Sequence, residues 1–390
     1  MSTTAGHPAP DLTLAERLAS GPVVLDGGLA TLLEAHGHDL TSALWSARLL
    51  LDDPRAITAA HREYFEAGAQ VAITSSYQAS FDGFAALGLD RAAAADALRR
   101  SVALARTAAD QAAAEGSDDA GRAGRRWVAA SVGPYGAALA DGSEYRGDYG
   151  LSVAELRAWH RPRLEVLAGA GADVLAIETI PCLAEVQALL EELRGTGMPA
   201  WLSLTCAHGR TRAGEPAAEA FAMAADVDEI IAVGVNCCDA DEALGLVELA
   251  VQDSGKPAVV YPNSGERWDA EHRCWSGTST FGPEHAAEWV AAGARLVGGC
   301  CRVGPAAISR LAAATRGRPA ADPPTADPPT ALLVAGALFP GPVTIEDDRD
   351  DRRSAHGVSP RTACPARPCT CARPPCAAPS STASGHLPPR

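Results

Sequence analysis

The chain has 390 residues, 47% of them hydrophobic and 21% charged. That is enough apolar material for one large packed domain or two small ones, and it excludes a wholly disordered chain. The formal net charge is -15 and Lys256 is the single lysine among 33 basic residues, so there is no basic stripe of the kind that binds nucleic acid or an anionic membrane surface.

The first residues, MSTTAGHPAPDLTLAERLAS, carry acids but no basic segment followed by an apolar one. A secretory leader is therefore not expected, and the expected location is cytoplasmic. No apolar run reaches the length of about 18 residues that spans a bilayer. Residues 1–19 read as an N-terminal extension.

From residue 20 to 316 two patterns alternate. Eight short apolar segments read as strands: Val23–Leu25, Val71–Ser75, Trp127–Val132, Val174–Glu178, Ala200–Thr205, Ala232–Asn236, Ala258–Tyr261 and Leu296–Gly298. Most are apolar at successive positions, as strands covered on both faces are. Alanine- and leucine-rich amphipathic segments separate them, among them Pro54–Ala67, Arg91–Glu115, Val153–Ala170, Leu183–Gly195, Asp239–Ser254 and Pro283–Ala292. Alanine-glycine turns at Gly68, Gly171 and Gly293 precede strands, where glycine can end a helix in the left-handed conformation. Eight such units predict an α/β fold, a (β/α)8 TIM-type barrel. The rival, a doubly wound open sheet, lacks a G-x-G-x-x-G after the first strand.

After residue 317 the composition changes. The proline-rich repeat ADPPTADPPT gives way to EDDRDDRR and then to a run of proline, arginine and cysteine. Residues 317–390 read as a low-complexity, disordered C-terminal tail, because they offer little apolar surface to set against chain entropy. Its cysteines, Cys364, Cys369, Cys371 and Cys376, are interrupted by prolines and form no Cys-x2-Cys pair, a weak metal signal.

Eleven cysteines without a leader imply thiols, metal ligands or redox groups, not a disulfide framework. The sixth strand ends Gly234-Val235-Asn236-Cys237-Cys238 and the eighth ends Gly298-Gly299-Cys300-Cys301. Barrel active sites lie at the carboxyl ends of strands, so these cysteines share one rim. Three thiolates and an open fourth position make a catalytic zinc arrangement. Neighbouring residues of a straight strand point to opposite faces, so Cys300 and Cys301 share one ion only if the chain turns there, which the preceding glycines permit. Cys237 is read as the ligand and Cys238 as a packed neighbour; a separation above about 8 Å between Cys237 and the pair would exclude a shared ion. The other reading is that these are buried apolar cysteines. The same rim carries Asp26 and Glu178, two carboxylates that can bind an ammonium group, act as acid and base, or cap loops.

Asp26-Gly27-Gly28, Gly234-Val235-Asn236-Cys237 and Gly298-Gly299-Cys300-Cys301, in that order, resemble the homocysteine S-methyltransferase family over about residues 20–316. Ile73-Thr74-Ser75-Ser76-Tyr77-Gln78-Ala79, Gly133–Gly136 with Asp141–Gly147, and Tyr261–Glu266 resemble its branch that takes methyl from S-methylmethionine or S-adenosylmethionine. The resemblance implies a zinc-dependent methyltransferase that acts on L-homocysteine and makes methionine. It implies Zn2+ on Cys237, Cys300 and Cys301. It implies Asp26 and Glu178 on the homocysteine ammonium with Thr74 nearby, and Tyr77, Asn236 and Asn263 as further pocket residues. Its partners are then small molecules, homocysteine and a sulfonium. Tyr77, Tyr135 and Trp45 are aromatic candidates for that cation, against plain packing. Selenocysteine or another thiol as acceptor, and a non-catalytic zinc-binding barrel, are the competing functions.

Overall fold

The apolar segments form eight parallel strands in the computed structural model, which describes residues 12–39, 46–115, 125–269 and 274–318. They are β1 (Val23–Val24), β2 (Val71–Ile73), β3 (Trp127–Val132), β4 (Val174–Ile180), β5 (Ala200–Leu204), β6 (Ile230–Asn236), β7 (Ala258–Tyr261) and β8 (Ala294–Val297). Each pairs with the next in sequence and β8 pairs with β1, Val23 opposite Leu296. A parallel bridge from Leu25 to Val71, with the Gln70 N–H on the Val24 carbonyl at 2.7 Å, closes the ring between β1 and β2. The fold is the expected (β/α)8 barrel.

Crossover helices include α1 (Pro54–Glu66), α2 (Arg91–Glu115), α3 (Val153–Ala168), α4 (Leu183–Leu193), α5 (Ala217–Met223), α6 (Ala240–Ser254), α7 (Pro283–Ala291) and α8 (Pro305–Thr315). Side-chain caps set several of their starts: the Asp53 carboxylate on the Ala56 N–H, and a reciprocal Ser152–Glu155 capping box. Gly68 and Gly171 do take the left-handed conformation, at φ 105° and 86°, between helix end and next strand. Between β5 and β6 the sequence reading has no helix. The structure places there a hairpin (Cys206–Ala207 with Arg210–Thr211) and the short α5, whose seven residues are too few to show a clear helical period.

Strand residues alternate between two cores. Leu25, Val71, Ala129, Ala176, Trp201 and Tyr261 fill the barrel interior, and the alternate positions pack under the helices. Both faces are therefore apolar, which is why the strands read as unbroken apolar runs. A helix at Leu14–Leu18, inside the stretch read as an extension, adds Leu14 and Leu18 to the inner cluster. Gly298 follows β8 because a Cβ there would lie 2.6 Å from the Leu25 Cβ; β1 approaches too closely for any side chain.

The chain divides into Met1–Thr330 and Ala331–Arg390. The tail read as disordered, its four cysteines, and Trp45 lie outside the described residues. Among the described residues no helix is long and apolar enough to cross a membrane.

Candidate metal centre

Three sulfur atoms from two distant strand ends meet at the carboxyl face of the barrel. The Sγ atoms of Cys237, Cys300 and Cys301 all lie within 4.8 Å of one another, and Cys300 and Cys301 are 4.0 Å apart. That is well inside the limit for a shared ion. Backbone geometry makes it possible. Cys237 leaves β6 at φ 48°, in the left-handed region, which sends it and Cys238 to different surroundings. Cys238 is buried in the outer core, where burial pushes its thiol up. After β8 the chain turns through Arg302 at φ 65°, so that two adjacent cysteines face one point.

A frame of hydrogen bonds fixes this turn. The Gly299 N–H donates to the Asp26 carbonyl at 3.1 Å, and the Cys300 N–H to the Pro262 carbonyl at 2.8 Å. The Cys301 N–H donates to Asn263 Oδ1 at 3.2 Å. Strand ends β1, β7 and β8 are thus tied together directly below the sulfurs. Thiol donation from Cys300 and Cys301 holds Cys237 well below the ordinary thiol range, and the shared charge holds both donors above it.

Around the sulfurs stand buried acids. Asp26 accepts from the Ile73 N–H through Oδ2 at 2.8 Å, while its Oδ1 is buried with no hydrogen-bond partner among the described residues. Burial raises its carboxyl well above the usual range. Glu178 accepts from the Ser131 hydroxyl and, at 3.0 Å, from the Tyr261 hydroxyl. Burial, with the Cys237 charge adding, pushes Glu178 up to about 7. Tyr261 in turn accepts from Trp201 Nε1 at 3.0 Å.

The remaining sequence candidates divide into two groups. Asn236 is fully committed to the protein: Oδ1 accepts from the Thr179 N–H at 2.7 Å and the Ser203 hydroxyl at 2.8 Å, and Nδ2 donates to Thr179 Oγ1 at 2.7 Å. Asn263 holds the Cys301 backbone, and Thr74 Oγ1 accepts from the Ser131 N–H at 3.0 Å. Tyr77 is half-buried and hydrogen-bonds Thr179, next to the sulfurs. Tyr135 packs edge-on against Trp159 at 5.1 Å.

Three neighbours escape the sequence reading. Thr179 follows Glu178 at φ 61°, its hydroxyl accepts from Asn236 Nδ2, and it helps to lower the Cys237 thiol. Tyr145 also helps to lower the Cys237 thiol, and its chain neighbour Glu144 is buried, its carboxyl raised by burial to about 7 with the Cys237 charge adding. The segment Asp141–Gly147 carries them, a match to the branch motif with no role attached.

An eight-stranded barrel with an open set of three thiolates on its carboxyl rim defines a class, barrel enzymes working at a catalytic metal centre. Residues 23–315 match the homocysteine S-methyltransferase family, and the chain belongs to it. It is 48% identical to homocysteine S-methyltransferase 4 of Zea mays, over 77% of this chain and 91% of that protein. It is 45% identical to the homocysteine S-methyltransferase of Escherichia coli, over 75% of this chain and 94% of that one. Among solved structures it is similar to the metallated homocysteine methyltransferase MmuM of Escherichia coli, with a TM-score of 0.68 at 43% identity, covering 75% of this chain and 96% of that chain.

Proposed function

We propose that this protein transfers a methyl group from a sulfonium donor, S-methylmethionine or S-adenosylmethionine, to the thiol of L-homocysteine and so makes methionine. The sulfur cluster carries the reading. Zn–S bonds of about 2.3 Å in a tetrahedron put sulfurs about 3.8 Å apart; the 4.0 Å between Cys300 and Cys301 already suits that. Three soft donors suit zinc, and a relative has been solved in a metallated form. Cys237, Cys300 and Cys301 are therefore assigned as the ligands.

Zinc held by Cys237, Cys300 and Cys301 would lower the pKa of an incoming thiol and so supply a nucleophile at neutral pH. The chain's own residues do the rest. The three cysteine thiolates keep the centre electron-rich, so the fourth sulfur stays nucleophilic and a cationic sulfonium is attracted. Asp26 Oδ1, buried and unpartnered, accepts from the homocysteine ammonium. Glu178, held by Ser131 and Tyr261, adds a second fixed carboxylate on the same cation. Asn236, Asn263 and Thr74 act one step back, holding Thr179, Cys301 and Ser131. Tyr77 and Tyr145 flank the sulfurs. The methyl step would be an in-line displacement, in which the S–CH3 bond to homocysteine forms as the sulfonium's S–CH3 bond breaks and the donor leaves as a neutral thioether; it needs no base because the thiol proton would already have passed to solvent.

Residues 20–316 are assigned as the methyltransferase barrel, with 1–19 as an extension and 317–390 outside it. Six free cysteines among the described residues favour the reducing cytoplasm as the place of reaction.

The test is a product assay with labelled S-methylmethionine or S-adenosylmethionine offered to homocysteine, beside metal analysis. Methionine formation with one zinc per chain is expected. Full activity after exhaustive metal removal would end the zinc mechanism; transfer to selenocysteine in preference to homocysteine would move the acceptor.

A further inference from the structure

Glu144 is only 7% exposed, yet its Oε2 has no hydrogen-bond partner among the described residues. A buried carboxylate without a cation or a full set of donors is costly, so such a group points to a missing partner. The nearby arginine does not serve: Arg146 reaches outward to Asp148 at 3.3 Å and to Asp141 at 3.8 Å. The backbone has no slack either. Gly142 turns the chain at φ 80°, and a Cβ at Gly136 would lie 2.4 Å from the Glu144 nitrogen, so the acid is pressed against the rim. Its carboxyl is within electrostatic reach of Cys237 and Tyr77, and the next residue, Tyr145, helps to lower the Cys237 thiol.

A cation stands close by. Arg212, on the hairpin after β5, donates through Nε to Thr205 Oγ1 at 3.2 Å, and its guanidinium carbon is 5.7 Å from the Tyr145 ring centroid. It is half-buried and forms no ion pair among the described residues. A buried acid with an open oxygen and a cation outside any ion pair among the described residues thus adjoin Tyr145, the one as its chain neighbour and the other 5.7 Å from its ring.

We propose that Glu144 and Arg212 form the receptor for the amino-acid end of the methyl donor, Glu144 taking its α-ammonium and Arg212 its α-carboxylate. The inference rests on the sulfonium-dependent function proposed above. The reaction brings two amino acids to one centre, and the buried carboxylate oxygens without a partner among the described residues include Asp26 Oδ1 at the end of β1 and Glu144 Oε2 on the loop after β3. Asp26 serves the acceptor and Glu144 the donor. Asp26 ends β1 and Glu144 follows β3, so the two ammonium groups are kept apart by the end of β2. The donor class is then an α-amino-acid sulfonium, and the carbon chain between its sulfur and its amino-acid end spans Tyr145.

Steady-state kinetics of E144Q and R212Q, with whichever of the two sulfoniums the wild type uses, test this. Loss of one charged hydrogen bond should raise the donor KM by about tenfold or more. The homocysteine KM and the zinc content should stay at wild-type levels, and E144D should recover part of the loss. A donor KM within about twofold of wild type in E144Q overturns the proposal. So does a homocysteine KM that rises as far as the donor KM, which would mark a general distortion of the rim. A wild type that uses neither sulfonium removes this proposal together with the function it rests on; an unchanged E144Q removes this one alone.

Discussion

Replacing Asn236 with Ala should damage both the fold and the metal centre. The side chain is fully buried at the end of β6 and makes three hydrogen bonds, two of them to Thr179. Thr179 sits at φ 61°, a left-handed conformation that costs a non-glycine residue about 1–3 kcal/mol and persists only where neighbours impose it. Three buried hydrogen bonds are worth about 1 kcal/mol each, and an abandoned Thr179 N–H adds a desolvation penalty, so the expected loss is about 3–5 kcal/mol. Urea unfolding measures it, at one fixed zinc saturation because bound metal stabilises the folded state. The same change should lower kcat/KM by about tenfold or more, because Asn236 directly precedes Cys237 and holds Thr179, which helps to set the Cys237 thiol. Asn236→Asp keeps the acceptor and loses the donor, and should fall between. A loss below about 1 kcal/mol with wild-type kinetics would refute the view that Asn236 imposes the Thr179 conformation.

Cys237→Ala, Cys300→Ala and Cys301→Ala should each abolish methyl transfer and bound zinc while circular dichroism stays native; wild-type turnover in any one would show that sulfur to be misassigned. His61, fully buried on α1 with both ring nitrogens unpartnered among the described residues, is held neutral by burial, its pKa falling from 6.5 to about 4. The unfolded chain therefore binds a proton below pH 6.5 that the folded protein refuses until about pH 4, so stability is complete above 6.5 and declines by about 3 kcal/mol on the way down. His61→Phe should shrink the drop in urea midpoint between pH 7 and 4.5, and an unchanged drop would place the titration elsewhere. A chain ended at residue 320 should keep wild-type kcat and KM, since the family match stops at 315; loss of activity would assign the tail a role.

The barrel was legible because all eight strands are covered on both faces and so appear as unbroken apolar runs. The cysteines were legible because each set stands at a strand end, where chain direction decides which face of the barrel a residue serves. What the sequence hid was the conformation that makes those cysteines converge. Nothing in Asn236-Cys237-Cys238 announces a φ of 48°, and that angle parts Cys237 from Cys238. The asparagines read as pocket residues because polar groups at a rim usually meet ligand; their bonds within the protein, Asn236 to Thr179 and Asn263 to the Cys301 backbone, depend on three-dimensional pairing that the sequence does not show. Glu144 and Tyr145 passed without a role because they lie on a loop well past the end of β3, and loop reach has no periodicity to read.

The sulfurs come from positions 237 and 300–301, and the last pair follows the strand that seals the ring. A nascent polypeptide still lacking that strand presents a single thiolate of the three. With the ion assigned to these three sulfurs, high affinity arises only on completion of the cylinder, and the binding free energy acts as a late latch on folding.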